Sequence, residues 1–185
     1  CGMSTISATD LDRRIELLTT QIIGSHLDAM IEQIQNLATT YNLKKDREKS
    51  PFRNVITVAN EPGSSLEVVK NYIRYQVGRS GSSKIWKDRD FANALVENIQ
   101  GLQNQVNCIL DELREKLTQH APSTVIFLDG KNQEVSEQKS FEYYFDHLAK
   151  PKLTKKLHLQ LCQLYLGYLA REHTALLSAG TQQTA

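Results

Sequence analysis

The stretch YIRYQVGRSGSSKIWK, residues 72–87, concentrates the groups in this chain that could do chemistry: four cationic side chains, two tyrosines and the only tryptophan, around a Gly/Ser-rich turn. Glycines and a lysine near a helix start are the materials of a phosphate-binding loop. Such a loop needs the order G-x-x-x-x-G-K-[ST] after a buried strand, with the helix beginning at the lysine so that backbone N–H groups cradle the phosphate. In GRSGSSK (78–84) the glycines stand three apart, Ile85 follows the lysine, and the segment ahead reads as a capped helix. Nucleotide hydrolysis through this loop is therefore not expected.

The same residues suit phosphate attraction without catalysis. Lys70 and Arg74 share a helix face four residues apart, Arg79, Lys84 and Lys87 carry the charge past the helix end, and an exposed Tyr75 or Trp86 could stack on an unpaired base. The structural alternative keeps Tyr72 and Trp86 in the core and leaves the cations at a helix C-terminus, where the helix dipole favours them. Both readings stand at this point.

Charge distribution supports the first. Net charge is +1, but residues 44–89 hold eleven Lys or Arg against five Asp or Glu, so this middle carries +6 and the remainder −5. A second basic run, KPKLTKK (150–156), opens the last helix, where cations oppose the dipole. Whether the clusters at 44–53, 70–89 and 150–156 form one surface depends on the fold.

Other chemistry finds little support. His26, His120, His147, His158 and His173 are scattered, and only His158 with Cys162 has the i,i+4 spacing of two ligands on one helix face. No C-x-x-C or H-E-x-x-H completes a site, so neither metal nor cofactor is expected. Glu172 beside His173 has no nucleophile context, and no matched nucleophile, base and stabiliser mark an enzyme.

The elements that must position these residues are helical. Apolar residues recur at three- and four-residue steps over 10–43, over 65–77 behind a Ser64/Glu67 capping box, and from Asp88 to near 120 through Phe91, Leu95, Ile99, Leu102, Val106, Ile109, Leu113 and Leu117. FRNVITVAN (52–60) fits a strand or a short helix. FEYYFDHLA (141–149) reads as a short helix that Pro151 separates from a last long one over 152–178, lined by Leu153, Leu157, Leu161, Leu164 and Tyr168. The expected fold is all-α: a bundle of three long and two short helices, with room for one small β-hairpin near 124–135, where Asp129-Gly130 signals a turn. In this reading residues 1–9 are a cloning remnant, CGM, and a flexible N-terminus, 10–179 form a single helical domain, and 180–185 are a flexible tail.

Length and composition agree, with 185 residues, 40% hydrophobic and 23% charged, enough for one sizeable core. Cys1, Cys108 and Cys162 show no paired spacing, and no apolar run approaches the roughly 18 residues of a membrane span. A cytoplasmic protein with no membrane contact is the expectation.

SSLEVVKNYIRYQVGR (64–79), followed by Trp86 and a long amphipathic helix, resembles the helical small subunits of type III CRISPR effector complexes over about a third of the chain. Those subunits are non-catalytic bundles that stack along the complex and line the path of guide and target RNA. The resemblance implies antiviral defence and backbone contacts by Lys70, Arg74 and Arg79. The near-neutral charge and the extension containing the hairpin and last helix depart from that pattern. The first expectation is thus a non-enzymatic accessory subunit binding RNA or single-stranded nucleic acid through Lys70, Arg74, Tyr75, Arg79, Lys84, Trp86 and Lys87, alongside other protein subunits. The second is a helical protein-interaction or oligomerisation module that binds no nucleic acid.

Overall fold

The computed structural model describes residues 4–47, 50–130 and 135–181. It is 76% helical, an all-α protein with a small three-stranded sheet, as expected. The helices are α1 (Ala8–Thr40), α2 (Arg53–Asn60), α3 (Leu66–Gly78), α4 (Lys84–Lys87), α5 (Arg89–Thr118), α6 (Phe141–Tyr143) and α7 (Lys150–Thr181); the strands are β1 (Thr5–Ser7), β2 (Thr124–Leu128) and β3 (Val135–Ser140). The chain forms two compact units. One combines the segment up to His26 with Asn104–Leu157, and the other combines Leu27–Gln103 with the segment from His158 onward.

The first unit holds the sheet, in the order β1-β2-β3. β2 and β3 pair antiparallel, as the hairpin signal implied, while residues 131–134 between them lie outside the described residues. The third strand was not foreseen. Thr5, Ile6 and Ser7, within the segment read as a flexible N-terminus, pair in parallel with Thr124, Val125 and Ile126. Ser7 then starts α1 two residues earlier than the pattern placed it, because its Oγ accepts from the Asp10 N–H at 3.1 Å. Buried Ile15, Ile22, Val106, Ile109, Leu113, Phe141 and Phe145 make this unit's core. At its edge the Tyr144 hydroxyl donates to Asp12 Oδ1 at 2.7 Å, and Arg114 forks onto Asp146 at 2.7 and 3.1 Å.

Pro151 does not separate two helices. Tyr144–Ala149 is wound as a π-helix that joins α6 directly to α7. Proline has no N–H, and its ring clashes with the carbonyl four residues back in a regular α-helix; the wider turn ahead of it relieves both demands.

The second unit packs α2, α3 and α4 with parts of the long helices. The ambiguous segment at 52–60 is helix α2, burying Val55 and Ala59 one turn apart. α3 is capped by Ser65, whose Oγ accepts from Val68 N at 3.3 Å, one residue later than the expected Ser64; Ser65 is the residue in extended backbone. On α7 the buried stripe is Leu157, Leu161, Tyr165, Leu169 and His173, while Leu164 and Tyr168 are only half-buried. The expected stripe was displaced by one residue around the helix because so many leucines left its centre undefined. Of the expected tail, 180–185, residues 180 and 181 end α7, and 182–185 lie outside the described residues.

Two predictions follow from this packing. Leu161→Ala, at a fully buried position, is expected to lower stability by about 2–5 kcal/mol, whereas Leu17→Ala, 63% exposed, is expected to change it by no more than about 0.5 kcal/mol, both read by urea denaturation. Burial pushes the Cys162 thiol up from 9.0 to about 12 and, opposed by a hydrogen bond from Asn98, the Tyr165 phenol up from 10.0 to about 12. Folding favours the protonated form of both. Their contribution is complete below the unfolded values and is lost as pH rises, so stability is expected to be steady to about pH 9 and to decline toward pH 12, measured by denaturation at successive pH values.

Candidate functional site

The site is built around a loop whose own side chains give no hint of burial. Asp46 sits within KKDREK yet is only 3% exposed. Its carboxylate Oδ2 accepts from the Ile85 N–H at 2.8 Å, which caps the single turn of α4 from 39 residues away. Its backbone carbonyl lies 2.8 Å from His173 Nε2 on α7, and since a carbonyl only accepts, that ring nitrogen carries the proton. A third tie comes from the Trp86 indole, which donates to the Pro51 carbonyl at 3.1 Å.

Aromatic packing completes the anchor. Phe52, fully buried, meets Trp86 edge-on at 5.7 Å, Phe91 at 6.1 Å and His173 at 5.9 Å. These contacts hold Asp46, Pro51 and Phe52 against α4. The segment carrying exposed Lys44, Lys45 and Arg47 is thereby tied to the turn carrying exposed Lys84, two basic stretches that the sequence left apart.

Of the seven residues singled out in the sequence, five are exposed, Lys87 among them, and Lys70 and Trp86 are buried. Arg74, Tyr75, Arg79 and Lys84 face solvent; Tyr75 is 53% exposed, with its ring 5.7 Å from that of Tyr72. Arg79 directly follows α3, and its N–H donates to the Tyr75 carbonyl at 3.0 Å, so cation and ring are held one turn apart. Lys70 is buried to 8% exposure, with its ammonium 2.7 Å from Glu67 Oε1. That hydrogen bond is the main reason the Glu67 carboxyl lies below its usual range. Lys70 does not form the exposed pair with Arg74 that the spacing suggested, because its position on α3 turns it toward the core and a carboxylate three residues back takes its charge. Trp86, 2% exposed, has no face free for a base; its size and its indole N–H both find partners in the core. Lys87 donates to the Arg79 carbonyl, which also accepts from the Ser82 hydroxyl at 2.9 Å, so GRSGSSK closes on itself as a tied turn.

The run 150–156 belongs to the other unit, where Lys156 pairs with Glu16 at 3.3 Å. His158 and Cys162 do not form a ligand pair: His158 Nε2 is 2.8 Å from the Ile99 carbonyl, and the Cys162 thiol is buried with its pKa raised. Among the described residues no three His, Cys, Asp or Glu side chains gather as a metal site. Sequence reasoning missed Asp46 and His173. His173 was findable as the residue four beyond Leu169 on the buried stripe, whereas nothing local marks Asp46.

No family model, no curated protein and no solved structure matches the chain.

Asp46→Ala is expected to destabilise the protein by about 1–3 kcal/mol and to speed hydrogen exchange at the Ile85 amide, because a buried N–H loses its acceptor. Asp46→Asn keeps an acceptor oxygen and is expected to protect that amide better, as read by exchange mass spectrometry.

Proposed function

We propose that this protein is a non-enzymatic helical accessory subunit that binds RNA or single-stranded nucleic acid along its phosphate backbone. The observation that carries this reading is the Asp46–Ile85 hydrogen bond, which ties the basic segment 44–47 to the basic turn 84–87. Lys44, Lys45, Arg47 and Lys84 supply sequence-independent attraction to phosphates. Arg74 and Arg79 extend the charge along α3, and Tyr75 offers a half-exposed ring on which an unpaired base can stack. Lys44, Lys45 and Arg47 flank an Asp46 that is buried and hydrogen-bonded, which lowers the conformational freedom they lose on meeting a phosphate. The likeness of 64–79 to small subunits of CRISPR effector complexes is consistent with a place in a larger ribonucleoprotein assembly.

The revised residue set defines the test. Arg74→Glu/Arg79→Glu and Lys44→Glu/Lys45→Glu are each expected to weaken binding of a labelled single-stranded RNA by at least about tenfold at low salt, read by fluorescence anisotropy. Wild-type binding is expected to fall steeply as salt rises, and Tyr75→Ala is expected to weaken it without changing the salt dependence, because stacking releases no counterions. Wild-type affinity in both charge-reversed variants, or no binding even at low salt, would sink the proposal and favour the protein-interaction reading.

A further inference from the structure

Strand β3 is an outer strand of its sheet, with β2 as its one strand neighbour among the described residues. Its other edge presents backbone N–H and C=O groups beside which no described strand lies. Proteins normally cover, charge or pair such an edge. Five of the six residues of VSEQKS are exposed. Two of them carry opposite charges two positions apart, with Lys139 Nζ 2.8 Å from Glu137 Oε1 and also 5.0 Å from the Tyr143 ring centre.

That charge order is self-complementary. When two antiparallel copies of this strand meet about a twofold axis through Gln138, Glu137 of each copy stands opposite Lys139 of the other, and Ser136 stands opposite Ser140. A strand guarded by charges of one sign would repel its own copy; this one matches it at both positions. The pairing also brings Val135, 54% exposed, toward the strand end next to Tyr143, 44% exposed. The opposite edge of the sheet, β1, is only three residues long and offers a shorter ladder.

We propose that the β3 edge binds a second copy of this chain, joining two three-stranded sheets through a symmetric antiparallel β3–β3 contact. This surface lies on residues distinct from those assigned to nucleic acid and does not rest on that assignment.

Sedimentation equilibrium on the full chain tests it. The wild type is expected to shift from 21.0 kDa toward twice that mass as concentration rises. Glu137→Lys and Lys139→Glu each place like charges opposite one another and are expected to stay monomeric over the same range. An equimolar mixture of the two is expected to dimerise again, because the doubly basic strand meets the doubly acidic one. A wild type that remains monomeric, or single variants that dimerise as well as the wild type, would overturn the proposal. Gln138→Cys, with Cys1 and Cys108 replaced by serine, checks the register independently of charge. Residues facing each other across the axis are near enough for a disulfide, so mild oxidation is expected to give a covalent dimer. Failure to cross-link overturns the register, and this arm decides alone should a charge variant lose its helical circular dichroism.

Discussion

A carboxylate taken out of water must find donors where it lies, and Asp46 finds one in the backbone N–H of Ile85. Its own carbonyl is held by His173, itself only 1% exposed, and Trp86 grips the Pro51 carbonyl a few residues further on. Asp46 and Pro51, in a stretch of strongly polar composition, are thereby hydrogen-bonded to α4 and α7. Phe52 sits inside this frame against Trp86, Phe91 and His173. The tie brings the segment that carries Lys44, Lys45 and Arg47 to the turn that carries Lys84.

Burial and charge divide the labour along α3. Val69 and Ile73 face inward, and Lys70, one residue on from Val69, is drawn partly inside and neutralised by Glu67. Arg74, one turn on from Lys70, and Tyr75 are exposed to solvent. A cation whose stem is buried and whose charge is paired has little left to offer a phosphate, whereas an exposed arginine keeps its full donor fork. Trp86, buried and hydrogen-bonded, is a structural residue.

The other unit solves a different problem. Its small sheet acquires a third strand from the beginning of the described chain, and the π-helical turn at Tyr144–Ala149 carries the chain past Pro151 without breaking the helix. The outer strand that results, β3, is polar and charged, with five of its six residues exposed.

The long helices were legible because helical periodicity is local: the α5 stripe from Phe91 to Leu117 is buried at every position named from the sequence. The turn at 129–130, the start of α3 to within one residue and the all-α class were legible for the same reason, each being set by neighbours a few residues apart. The sequence by itself also determined that a basic middle region exists and that no familiar catalytic or metal-binding spacing does. Only the tertiary structure decided which cations remain available, where the tryptophan goes, and that the segments 44–47 and 84–87 are tied together. Those outcomes rest on hydrogen bonds between groups 39, 35 and 127 residues apart, and partners so distant leave no period or motif in the chain to be read.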